Sequence, residues 1–183
     1  MAKGQIRPTL HGSQLRGGKL SLEEKAALAQ RYGYPGLDFA LAEARSCANG
    51  DPAAVQELFS RYALQASTIG GVFGARLTDG EEEFSAALAQ IPALAREAAA
   101  YGAARTGTVL PGRQQQPKEE IWPVVVERIR RVDDALEGTG MRLGIEFIGV
   151  KTLRPEVPHP FVQSMAEANR LLEESGARNV GLT

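Results

Sequence analysis

The chain has 183 residues, 43% of them hydrophobic, and a formal charge of −1 from 21 basic and 22 acidic side chains, which suits about one globular domain with a single core. No basic block is present to follow a phosphate backbone, and the longest uncharged run, residues 62–75, is too short to span a bilayer, so neither nucleic acid nor membrane is expected as a partner. One cysteine, Cys47, excludes an internal disulfide framework, two histidines leave little for a zinc site, and the N-terminus lacks a basic-then-apolar leader profile; a cytoplasmic protein is expected.

A short apolar run predicts the first strand near 6–11. Ser21 and Glu24 form a capping box that opens a helix over 21–32, followed by a strand over 36–41. Asp51-Pro52 supplies an N-cap with proline at the first helical position, opening a helix over 52–63, and a strand follows at 66–73. Phe84, Leu88, Ile91, Ala95 and Ala98 mark the buried stripe of a helix over 80–101, and the next strand is 106–110. Pro117, Glu119 and Glu120 open a helix over 117–137 striped by Val125, Ile129, Val132 and Leu136, before a strand at 142–148. Phe161, Met165, Ala168 and Leu172 predict a helix over 161–175, and NVGLT reads as a last strand at 179–183.

The order is periodic. Helices end at Gly33, Gly102, Gly140 and Gly176, spaced 102−33=69, 140−102=38 and 176−140=36, so a unit of about 35 residues repeats, with one unit hidden in the first interval. Strict strand–helix alternation with apolar strands means a parallel α/β architecture, a barrel or an open doubly wound sheet. The segment after the first strand, HGSQLRGGKLS, contains neither glycine-rich phosphate loop, and the chain stops at its sixth strand. Both features favour an incomplete TIM-type (β/α) barrel, about six of eight βα units, filling residues 1–183 as a single domain without strands 7 and 8. The competing reading is a complete open-sheet α/β domain that binds a small ligand or partner without catalysis.

One residue stands out in GMRLGIEFIGVKTLR. Glu146 is flanked by Leu143, Ile145, Phe147, Ile148 and Val150, so a buried strand position is expected, where a carboxylate needs a proton, a cation or a metal. Several polar residues fall at strand ends or in the loops beyond them, where barrel enzymes gather their chemistry. His11 ends the first strand, Lys151 and Arg154 follow the fifth, and His159 lies in VPHPF. These are candidate substrate-binding residues; for Lys151 and Arg154 the alternative is solvated loop charge, and for His159 a helix cap. Asp38, Arg113 and Gln115 have a weaker positional argument, Trp122 and Tyr34 read as packing residues, and Cys47 as incidental.

RLGIEFIGVKTLR, the following HPF, and the helix leading into ARNVGL resemble the sugar isomerase/epimerase superfamily with the xylose isomerase-like barrel. LSLEEKAALAQRYGYPGLDFAL is similar to that family's first helix and second strand, and the resemblance extends over nearly the whole chain. It implies that Glu146 binds a divalent metal ion such as Mg²⁺ or Mn²⁺. The next ligand implied is an aspartate in a pattern like NVGL-x-x-D, beyond Thr183, and a His or Gln and a second Glu would come from strands 7 and 8. The expected activity is proton transfer beside a carbonyl of a sugar, sugar phosphate, sugar acid or cyclitol, by an isomerase or epimerase, with a lyase as the alternative, and the present chain is expected to be an inactive fragment. Thr152 and Ile148 depart from glutamate and lysine found at these places in some members, so those members' substrates do not carry over. Two histidines argue against the three-metal endonuclease branch.

Overall fold

The computed structural model describes residues 7–12 and 20–183. Most of the HGSQLRGGKLS segment, and Ile6 at the start of the expected first strand, lie outside the described residues. Strands β1 (Thr9–His11), β2 (Gly36–Ala40), β3 (Gln65–Gly70), β4 (Arg105–Leu110), β6 (Arg142–Phe147) and β8 (Val180–Leu182) form a parallel sheet in the order β1-β2-β3-β4-β6-β8. Two short strands, β5 (Arg113–Gln114) and β7 (His159–Pro160), pair antiparallel to each other. The helices are α1 (Leu22–Arg31), α2 (Leu41–Ser46), α3 (Pro52–Arg61), α4 (Glu81–Ala100), α5 (Lys118–Leu136) and α6 (Met165–Ser175). Contacts divide the chain into two compact units, residues 1–71 with 97–105, and residues 72–96 with 106–183.

In the first unit, β1 pairs with β2 in the register Leu10↔Leu37, and β2 with β3 across an irregularity between Leu37 and Phe39. Leu37 and Phe39 are buried, with the Phe39 ring 5.1 Å from Phe59 of α3. α1 begins with the expected capping box: Ser21 Oγ accepts from Glu24 N and the Glu24 carboxylate accepts from Ser21 N at 2.8 Å. Its apolar face, Leu22, Ala26 and Ala29, is buried, and so is Lys25, only 3% exposed. The Lys25 ammonium meets the Glu43 carboxylate of α2, which also accepts from Ala40 N at 2.9 Å. α2 lies where a connection is expected between the strand over 36–41 and the helix over 52–63; at six residues it is too short to show a 3.6-residue stripe. α3 starts as expected, with Asp51 Oδ1 accepting from Ala53 N and Pro52 at the first position. Arg45 grips Glu97 with two hydrogen bonds of 2.7 Å.

In the second unit, β6 pairs with β8 in the register Leu143↔Val180, Gly144↔Gly181 and Ile145↔Leu182. The stripe of α5, Val125, Ile129, Val132 and Leu136, is buried as predicted. Its Arg128, 5% exposed, donates to the carbonyls of Leu77 and Asp79 and to Glu81, and stacks over Phe84 at 4.5 Å. The last helix begins later than the 161–175 expected. Ser164 caps it by accepting from Glu167 N, while Phe161 and Val162 are buried in extended chain after Pro160 and Met165 is exposed. Proline disfavours a helical conformation in the residue before it, and the β7 pairing holds this segment extended.

Glu81 receives a hydrogen bond from Arg131, then from Ser85 and from Arg128, and these hold its carboxyl at about 2, against an ordinary value of 4.5. A depressed folded-state value contributes stability that is complete above the unfolded value and is lost as pH falls toward the folded one. The thermal midpoint of the parent should therefore fall more steeply than that of Glu81→Gln between about pH 4.5 and about pH 2. Parallel pH profiles for the two proteins would show that the clamp contributes nothing.

Candidate functional site

Alternation along β6 decides where Glu146 points. Leu143 and Ile145 are buried, whereas Arg142 and Glu146 are exposed, as the two-residue strand period requires. This corrects the expectation of a buried carboxylate. The apolar neighbours point away from Glu146 or are themselves partly exposed, and Val150 is 57% exposed. The carboxylate is exposed at this position, and it has no side-chain partner among the described residues.

The loop after β6 is tied to the end of β4. Ile148 N donates to Leu110 O at 3.0 Å, and Gly112 O accepts from both Phe161 N at 3.0 Å and Gln163 Nε2 at 2.7 Å. Arg113 donates from Nε to Val157 O and from Nη2 to Pro158 O, and β5 pairs with β7 through Gln114↔His159. Gly112 sits so close to Ile148 O that an added Cβ would lie 2.5 Å from it. The sequence offers a weak signal for this tie, the turn-forming Pro111-Gly112, but nothing that names Gln163 or Val157 as its other half.

Four predicted site residues, Glu146, Lys151, Arg154 and His159, fall within this second unit. Lys151 is exposed on a short 3-10 turn, Lys151–Leu153. Arg154 instead holds the loop together, Nη1 donating to Gln163 Oε1 at 2.7 Å and Nη2 to Gly149 O, while its buried Nε has no partner among the described residues. His159 is half-buried in β7, and Ser164 caps α6. Gln115 is exposed. Trp122 donates to Glu174 at 2.6 Å and packs edge-on against Phe161, 6.0 Å between centroids.

His11 belongs to the first unit. It is exposed, with Nδ1 3.3 Å from Asp38 Oδ2, and Asp38 also accepts from Thr68 N at 3.1 Å and from Thr9 Oγ1 at 3.3 Å. Tyr34 is half-buried, and burial is the main influence raising the Cys47 thiol above its ordinary value. Among the described residues, no three or more His, Cys, Asp or Glu side chains gather as a metal site would require. Nor is any helix long and apolar enough to cross a membrane.

Known structures share this architecture. A xylose isomerase domain protein from Alicyclobacillus acidocaldarius is 31% identical over 96% of this chain and 62% of its own, with a TM-score of 0.78. The IolI protein with a bound zinc atom is 16% identical over 97% and 62% of the two chains, TM-score 0.76. A D-psicose 3-epimerase solved in the presence of D-fructose is 15% identical over the same shares, TM-score 0.73. Structures described as a probable dehydratase and as a family 2 AP endonuclease share the fold as well. This chain thus spans about 62% of the length of these first relatives. A comparison with curated protein sequences finds no match. Residues 26–183 match the xylose isomerase-like TIM barrel family, and with the parallel six-stranded sheet just described, the chain belongs to that family.

Proposed function

We infer that this chain is the amino-terminal part of a metal-dependent sugar isomerase or epimerase, six βα units of a single eight-unit domain. The reaction class is proton transfer at carbon beside the carbonyl of a sugar, sugar phosphate, sugar acid or cyclitol. The observation that supports it most is Glu146: an exposed carboxylate near the carboxyl end of a parallel strand, unpartnered among the described residues. That is where (β/α) barrels place their reacting groups. The epimerase and the zinc-bound protein among the structural relatives fit the same reading.

The described residues do not by themselves suit a resident divalent ion, because Mg²⁺ or Mn²⁺ takes about six oxygen-rich ligands and Glu146 stands without a second donor cluster. The remaining donors are proposed to follow Thr183: an aspartate two residues on, then a His or Gln, then a glutamate. Lys151, exposed and close in sequence to Glu146, is proposed to contact substrate oxygen, with His159 of the same unit as a further candidate. Arg154 acts by holding the loop that carries Lys151.

The test is a calorimetric titration of Mn²⁺ into the protein extended along its coding sequence past Thr183. Glu146→Gln should weaken binding by about tenfold or more, since affinity for such ions follows the number of charged ligands. Equal affinities would remove Glu146 from the site, and a coding sequence without the expected aspartate would sink the reading.

A further inference from the structure

At the end of β1 opposite His11, a cleft of about 410 Å³ opens over the first residues of four consecutive sheet strands. Thr9, Gly36, Gln65 and Arg105 begin those strands, and Arg7 and Ser67 complete the polar wall. All of these residues lie in the first unit. Among the described residues, the lining has two guanidinium groups, two hydroxyls and one carboxamide, and no carboxylate.

Arg7 Nη1 donates to Gln65 Oε1 at 3.1 Å, which turns the Gln65 amide nitrogen into a further available donor. Arg105 is exposed and has no side-chain partner among the described residues. The carboxylate nearest in the bonded network, Asp38, touches the cleft only through Thr9 Oγ1 and is already engaged by Thr68 N and His11. Gly36 keeps the floor open, since a Cβ there would lie 2.9 Å from Thr9 Cγ2 and 3.3 Å from Gln65 O.

We propose that this cleft is a binding site for a small dianionic oxyanion, held between Arg7 and Arg105 with the Ser67 hydroxyl and the Gln65 amide as further donors. Arginine forks match phosphate and carboxylate oxygens in pairs, and a cleft with cations and no counter-carboxylate is complementary to two negative charges. The site is separate from the strand carboxyl ends, where the proposed isomerase chemistry belongs, and it does not depend on that reading. α1 and α3 end just before β2 and β3, so their dipoles place partial negative charge at this end of the unit. That field stabilises the two guanidinium groups and opposes the anion modestly.

Calorimetry with inorganic phosphate and, separately, malonate, at fixed ionic strength, tests the site on the 183-residue chain. The parent should bind at least one of them saturably; phosphate alone identifies a tetrahedral ligand, malonate alone a dicarboxylate. Arg105→Ala should weaken binding by about tenfold, Arg7→Ala/Arg105→Ala should abolish it, and Arg170→Ala, an exposed arginine paired with Glu174 elsewhere, should leave it unchanged. Because Arg7 and Arg105 are exposed, the variants should keep the parental melting curve, which separates lost binding from lost folding. No saturable binding of either anion, or equal binding by the parent and the double variant, overturns the proposal.

Discussion

Gly112→Ala is expected to lower the unfolding free energy by about 2 kcal/mol, the cost of forcing an atom into a filled site. The new Cβ would stand 2.5 Å from Ile148 O and 3.5 Å from Val162 O, and both are backbone atoms that no rotamer change can move aside. Relief requires the 148–163 loop to shift away from β4, against the bonds that Phe161 N and Gln163 Nε2 make to Gly112 O. Since Ile148 is two residues from Glu146, the same variant should also weaken Mn²⁺ binding in the extended protein. A urea titration gives the stability change directly. If Gly112→Ala and the parent share one midpoint, the loop is not anchored as described.

Removing the Glu43 carboxylate should cost more. Glu43→Ala leaves the Lys25 ammonium, 3% exposed, without its counter-charge, and breaking one side of a buried pair typically costs about 3–5 kcal/mol. The variant also leaves Ala40 N without its side-chain acceptor at the start of α2. Glu43 is itself 25% exposed, so water can reach the vacated space and the lower end of that range is expected. Replacing both residues together, Lys25→Met with Glu43→Leu, should recover most of the loss, because an apolar pair of similar volume needs no counter-charge. Recovery in the double variant separates an electrostatic cause from simple loss of packing. Equal destabilisation of single and double variants would assign the effect to the cap at Ala40.

The repeat was legible because it rests on local signals. The Ser21–Glu24 box, Asp51-Pro52 and the α5 stripe each act within a few residues, and all three reappear in the structure. What local signals could not supply was partnership across the chain. Gly112 meets Gln163 over 51 residues and Arg113 meets Val157 over 44, and neither contact leaves a periodic trace. Glu146 shows the other limit. Five apolar neighbours indicate a strand with hydrophobic surroundings, but the pleat, not the local composition, decides which face a side chain joins. The apolar run was therefore good evidence for the strand and poor evidence for burial of its carboxylate. The start of α6 failed for a related reason: Phe161 fits the helical stripe, yet its backbone is claimed by Gly112.

Exposure of Glu146 carries an entropic cost for ion binding. With no partner among the described residues, its side chain is free to move among several rotamers. Whatever ion it binds must first immobilise it, at about 1.5 kcal/mol for a long acidic side chain. A neighbouring donor that pinned the carboxylate in advance would therefore tighten ion binding without touching the ion at all.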